Sequence, residues 1–180
     1  IIDTSARHGR KVAITGRSMI NIVSAATELG YMKVPSGVLI DLNEIKRYKP
    51  GEITLITTGS QGEPMSALYR MAFSDHSQVT LDSNDLVVLS ACHTGAGEIS
   101  KDGVYGLQRA FKKAGAKSII MSLWEVNDNA TYLMMSSFYH NRFVLGMSKY
   151  EAFVSAQRQL RNLYPEPYYW RAFILLDPEI

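Results

Sequence analysis

The chain has 180 residues, enough for one domain with a sizeable core. Hydrophobic residues make up 46% and charged residues 20%, the profile of an ordinary globular protein, and a net charge of +2 is too small to argue for nucleic acid by itself. A single cysteine excludes an internal disulfide framework, four scattered histidines leave no Cys/His zinc cluster, and no apolar run is long enough for a membrane helix.

Residues 11–15, KVAIT, read as a short buried strand. Gly16-Arg17-Ser18 then lead into a helix on which Met19, Ile20, Ile22, Val23, Ala26 and Leu29 repeat at helical spacing, closed by Gly30. Val38 to Ile40 form a second strand. Asp41 caps a brief helix, with Glu44 placed for a capping box, and Pro50-Gly51 mark a turn. Residues 53–57, ITLIT, are a third strand, followed by the glycine-rich loop Thr58-Gly59-Ser60-Gln61-Gly62-Glu63-Pro64. Pro64 suits the first turn of the next helix, Glu63 its electropositive start, and Met65, Leu68, Met71 and Ala72 its apolar face. Gln78 to Leu81 suggest a short edge strand, and Asp82 to Asp85 a polar turn.

The pivotal stretch is 86–98, LVVLSACHTGAGE. An apolar, largely β-branched run stops at small residues, and Cys92, His93, Gly95 and Gly97 follow. This pattern is a buried parallel strand emptying into a tight loop, the place where open α/β sheets collect their ligands. A helix follows from about Gly103 to Ala114, with Lys112 and Lys113 in its last turn. Lys117 to Leu123 are another buried strand. Asn127 or Asp128 caps a helix reaching about Gly146, and Ser148 with Glu151 opens one running to about Leu163. After Pro165 and Pro167, residues 169–176 read as the last strand. Alternating β and α elements predict an α/β three-layer sandwich: one mainly parallel, Rossmann-like or caspase-like sheet of about six strands with helices on both faces.

Two families are met along the way. From about His8 to Leu81 the chain resembles the β-CASP domain of bacterial ribonuclease J. The resemblance lies in Gly9-Arg10-Lys11-Val12-Ala13, Gly16-Arg17-Ser18-Met19, Leu39-Ile40-Asp41 and, above all, the twelve residues from Thr57 to Leu68, followed by Arg70-Met71-Ala72 and His76. From Asp85 to Asp177 it resembles the C-terminal part of a CHAT domain, a caspase-like cysteine peptidase fold. Here the matching pieces are Leu86 to Cys92, Thr94-Gly95, Gly97-Glu98, Gly106 to Phe111, Met121-Ser122-Leu123-Trp124, Gly146-Met147-Ser148 and Tyr168-Tyr169-Trp170. The strand Asp85 to Ser90 fits both patterns. The two resemblances together imply a recombined, engineered α/β chimera: a single domain over residues 1–180, with a β-CASP-like half, 1–84, joined to a CHAT-like half, 85–180, through that shared strand.

The CHAT resemblance makes Cys92 a candidate thiolate nucleophile, which needs a base and an oxyanion hole. The family's histidine falls on Thr58, which has no useful basicity near neutral pH. His93 is a poor substitute base, since a residue adjacent on a strand or its exit loop usually points away, and His76 reaches the thiol only if its loop folds back. The balance favours an ordinary, half-buried thiol and no inherited catalysis. The ribonuclease J resemblance implies that Arg17, Ser18, Ser60 and Gln61 contact RNA phosphates, since loops at strand ends that open helices favour anions. The same loops also read simply as tight turns. No His-x-His-x-Asp-His run is present, so neither a dinuclear zinc site nor nuclease chemistry is expected. His8 and His140 read as solvated side chains. Trp124, Trp170, Tyr168 and Tyr169 read as core and rim packing.

The expectations are therefore no metal, no cofactor and no dedicated partner beyond weak anion or RNA binding. Homodimerisation is expected through apolar surface left exposed where the halves fail to cover each other. No signal peptide is visible and the one cysteine suits a reducing compartment, so a cytoplasmic location is the default. A chain beginning at Ile1 reads as trimmed or excised from something longer.

Overall fold

The computed structural model describes residues 1–59, 63, 65–89 and 103–177. The chain is α/β, with a parallel and a mixed sheet flanked by helices. It divides into two compact units, one of residues 1–59 and 63–80, the other of residues 60–62 and 81–180.

The first unit begins with α1 (Ile2–Arg7), and its sheet is built from β1 (Lys11–Thr15), β2 (Leu39–Ile40) and β3 (Ile53–Thr57) in the order β2-β1-β3, all parallel. Val12, Ala13 and Thr15 on the central strand are buried, as expected of a strand covered on both faces. Between β1 and β2 runs α2 (Arg17–Glu28), and after β3 comes α3 (Ala67–Ala72). The capping box of Asp41 and Glu44 is present, on a 3-10 helix (Leu42–Arg47).

The N-terminal end of this sheet is tied by Arg10. Its Nε donates to Thr54 Oγ1 at 3.0 Å, one terminal nitrogen donates to the Gly51 carbonyl at 2.6 Å, and the other donates to the Ile53 carbonyl. Ser5 Oγ donates to the same threonine hydroxyl at 3.0 Å. One guanidinium thus satisfies three acceptors where β3 enters the sheet, the multiple, planar recognition for which arginine is suited.

The second unit holds β4 (Leu86–Leu89), α4 (Gly103–Ala114), β5 (Ser118–Ser122), α5 (Asp128–Tyr139), α6 (Lys149–Leu163), α7 (Pro167–Trp170) and β6 (Phe173–Leu176). The strand order is β4-β5-β6, with β4 and β5 parallel and β6 antiparallel to β5. Every residue of β5 is buried. Helices α5 and α6 form a hairpin around Ala130, Met134, Phe138, Phe153, Ala156 and Leu160, which join Ile120 and Phe173 of the sheet in one core. Asn127 caps α5, and Ser148 with Glu151 forms the capping box of α6. At the start of β5, the fully buried Ser118 hydroxyl donates to Asp177 Oδ2 at 2.7 Å and accepts from Lys149 Nζ at 2.6 Å. That chain of bonds fastens the first turn of α6 to the end of the sheet.

Several elements differ from the sequence expectation. Among the described residues the six strands form two sheets of three, not one continuous sheet. Alternation along the chain dictates β and α elements but not which distant edges hydrogen-bond. Residues 78–81 are not a strand, because His76 Nδ1 accepts the backbone N–H groups of Gln78 at 3.3 Å and Val79 at 3.2 Å, which curls the segment into a turn. Helix α3 begins later than Pro64 suggested. Its cap is Ser66, whose Oγ accepts from Tyr69 N at 3.1 Å, and Met65 before it has φ 68° and is exposed instead of lying on the apolar face. Tyr169 belongs to α7, which Pro167 starts, so β6 is only four residues long. The periodic apolar face of α2 is mostly exposed: only Val23 is buried, while Ile22 and Leu29 are 62% and 69% exposed. Glu151 is held below the ordinary carboxylate value by its bonds to Ser148.

Candidate anion-binding cleft

Parallel strands β1 and β3 end side by side, with Thr15 registered opposite Thr57. The next residues, Gly16 and Thr58, stay together. Gly16 has φ 97°, and a Cβ on it would collide with Thr58 Oγ1, so glycine is required both by conformation and by space. Gly59, at φ 105°, meets Ser66 in the same way. These two close approaches bring the start of α2 and the start of α3 to one end of the sheet.

There they line an open cleft of about 560 Å3, whose walls include Gly16, Arg17, Ile20, Thr58, Ser66 and Arg70. Helix α2 enters it without a side-chain cap and without an acidic residue in its first turn. Its N-cap, Gly16, supplies no side-chain acceptor to the first backbone N–H groups, and the first turn carries a cation, Arg17, instead of a carboxylate. The arrangement is unfavourable in isolation and becomes favourable once an anion enters.

Arg70, on α3, makes the charge stronger. Its Nε is buried and has no hydrogen-bond partner among the described residues. Buried donors are almost always paired, and leaving one unpaired costs more than a hydrogen bond normally contributes. Arg70 also acts on His76. Burial first, and then the Arg70 charge, hold the imidazole below the ordinary histidine value of 6.5. A neutral ring is also what the bonds to Gln78 and Val79 require, since Nδ1 must carry no proton to accept them.

Of the residues singled out in the sequence, Arg17 and Thr58 line the cleft. Ser18 lies in the first turn of α2 and is exposed, outside the cleft lining. Ser60, Gln61, Cys92 and His93 lie outside the described residues. Thr58 serves here as a close neighbour of Gly16. Glu63 supplies a backbone carbonyl to Ser66 N at 3.1 Å, while Ser66 does the capping. Sequence reasoning misses Arg70 as a site residue. Its signal is a lone cation on a short helix whose neighbours Leu68, Met71 and Ala72 are all apolar, too close to the core to be merely a solvated side chain. Among the described residues no group of three or more His, Cys, Asp or Glu side chains could hold a metal ion. No helix among those residues is long and apolar enough to cross a membrane.

Two family models match the chain. The ribonuclease J β-CASP domain matches residues 1–99 and the CHAT domain matches residues 54–177. The matches are wider than the resemblances read from motifs, and they overlap over 54–99. Ribonuclease J of Mycolicibacterium smegmatis is 40% identical over 119 residues, 66% of this chain and 21% of that protein. Ribonuclease J of Corynebacterium glutamicum is 41% identical over 115 residues, 64% of this chain and 16% of that protein. Ribonuclease J of Helicobacter pylori is 44% identical over 103 residues, 57% of this chain and 15% of that protein. The chain thus spans about a fifth or less of the length of these relatives. A 119-residue match in a chain of 180 includes residues 62–119 wherever it begins, so the likeness to ribonuclease J continues past β4 and through α4.

Proposed function

The chain belongs to two families, the ribonuclease J β-CASP domains and the CHAT domains, and from that premise we propose that its first unit holds the phosphate backbone of RNA in the cleft of Arg17 and Arg70. The observation that carries this reading is the placing of two guanidinium side chains, Arg17 and Arg70, and the uncapped start of α2 around one cleft. A phosphate oxygen is a strong acceptor for a guanidinium, which is suited to bind it in two-point fashion. The relatives' name, ribonuclease J, supports RNA as the source of that phosphate. The proposed role is binding, without inherited catalysis.

The test is the anisotropy of a labelled single-stranded RNA titrated with the protein at two salt concentrations. Binding should weaken with salt. Arg70→Met or Arg17→Ala should weaken it further and reduce the salt slope by about one for each phosphate that is no longer neutralised. RNA binding that neither substitution alters would sink the proposal.

The overlap of the two matches over 54–99 supports a recombined origin for the chain. We propose a join of two α/β parents within that span, and one natural gene encoding all 180 residues would refute an engineered origin. The CHAT match includes Cys92, which keeps a cysteine peptidase as the second reading. Its test is the pH dependence of Cys92 alkylation. An inflection well below about 8.5 would favour the peptidase, and an unshifted one would favour an ordinary thiol.

A further inference from the structure

Helix α2 packs on β1 and buries one side chain, Val23. Its charged residues, Arg17 and Glu28, stand at its two ends, and the residues between them, SMINIVSAAT, carry no charge. A helix facing solvent normally carries charged or polar side chains along its outer side. This one presents Ser18, Ile22, Ala25 and Leu29 in one line, at spacings of four, three and four residues. All four are exposed, Ile22 by 62% and Leu29 by 69%. Spacings of three and four are those of a coiled-coil seam. The seam is separate from the cleft of the same unit, because Ile20, which lines the cleft, stands about 160° around the helix from Ile22.

The seam complements itself when a second copy of α2 lies across it in the opposite direction. With a two-fold axis level with the middle of α2, between Val23 and Ser24, Leu29 comes opposite Ser18 of the second copy and Ile22 opposite Ala25. On the flank, Met19 comes level with Ala26 of the second copy to within about 3 Å. Each large side chain meets a small one, so the seam closes without a gap or a clash. The charges choose the same direction. A parallel pair sets Arg17 beside Arg17 and Glu28 beside Glu28. An antiparallel pair brings Arg17 of one copy to within about 3 Å, measured along the axis, of Glu28 of the other. Since α2 has no acidic residue in its first turn and no basic residue in its last, each helix supplies the charge that the other's dipole lacks at that end. Two helices of this length packed along such a seam bury on the order of 1,000 Å2 together, the lower limit for a specific contact, so the dimer is reversible and of micromolar affinity.

We propose that α2 is the interface of a homodimer, in which two copies of the helix pair antiparallel through Ser18, Ile22, Ala25 and Leu29. A second copy is the occupant that offers both the complementary order of side-chain sizes and the complementary ends. The interface is independent of the RNA cleft, whose lining includes none of these four residues.

Sedimentation velocity of the full chain over a micromolar to near-millimolar series should show a monomer–dimer equilibrium. Ile22→Lys/Leu29→Lys should raise the dissociation constant about ten-fold or more. Both positions are exposed, so the core is untouched, and far-ultraviolet circular dichroism checks the fold. Orientation is read by disulfide cross-linking in a Cys92→Ser background, which removes the chain's one cysteine. Ser18→Cys mixed with Leu29→Cys should give a covalent dimer on oxidation. Neither protein alone should, since the antiparallel pair holds like positions about 16 Å apart along the axis. A chain that stays monomeric throughout the series would overturn the proposal. So would a dimer that Ile22→Lys/Leu29→Lys does not weaken, or a covalent dimer from Ser18→Cys alone.

Discussion

Arg10 and Arg70 stand at opposite ends of the same three-stranded sheet and differ in one respect. Arg10, where β1 and β3 begin, spends its guanidinium on Thr54 and on the carbonyls of Gly51 and Ile53. Arg70, where the same strands end, keeps a buried Nε without a partner. A fold that pairs one arginine so thoroughly has the means to pair another. The difference separates an end whose arginine is spent within the fold from an end that leaves a donor unspent, and the second is the end at which parallel sheets tend to place ligands, beyond the carboxyl ends of their strands.

Substitutions at the two ends test that contrast. Arg10→Met should have the largest effect on stability, about 2–3 kcal/mol in urea unfolding, because three acceptors are deprived of a charged donor. Gly16→Ala forces a Cβ against Thr58 at a positive φ, and it should cost about 2 kcal/mol in the same measurement and reduce RNA binding as well. Ser66→Ala removes the cap of α3 and should cost about 1 kcal/mol. Arg70→Met should leave the protein as stable or raise its stability by about 1 kcal/mol, since it removes a buried donor that was unsatisfied, yet it should cost most of the RNA binding. If Arg70→Met destabilises the protein as much as Arg10→Met, the contrast is false.

The smallest effect concerns pH. His76 has a folded pKa below its unfolded value, so the unfolded chain binds more protons, and stability falls as pH drops below about 6.5. Asp85, raised from 3.8 chiefly by burial, and Glu151, lowered from 4.5, act at lower pH and in opposite senses. The lowered pKa of His76 contributes a decline in unfolding free energy as pH falls through about 6.5, and His76→Gln should remove that contribution.

The sequence made β1, β3, β4, α4 and α6 legible within a residue or two, because each combines a clear period with a cap or a glycine stop, whereas α5 starts as expected after Asn127 but ends at Tyr139 and gives way to a π-helix (His140–Val144), not reaching Gly146 as an α-helix. Ser148 with Glu151 and Asn127 before α5 are examples. What stayed hidden depended on tertiary partners. The turn at 76–79 needs the His76 ring to accept two backbone donors, and nothing local in Gln78 to Leu81 announces that. The division of six strands into two sheets depends on pairings between distant segments. At the cleft, Arg17 was legible because it opens a helix after a strand. Arg70 was not, because its meaning lies in what its Nε lacks, and a sequence does not show an unmade bond.

The most direct test of the account is the pH titration of the His76 ring protons by nuclear magnetic resonance, with and without saturating single-stranded RNA, assigned with His76→Gln. If phosphate settles on Arg70, it offsets the charge that helps to depress the imidazole, and the His76 pKa rises on binding. RNA bound at saturation with the His76 titration unmoved would place the phosphate elsewhere and contradict the central claim.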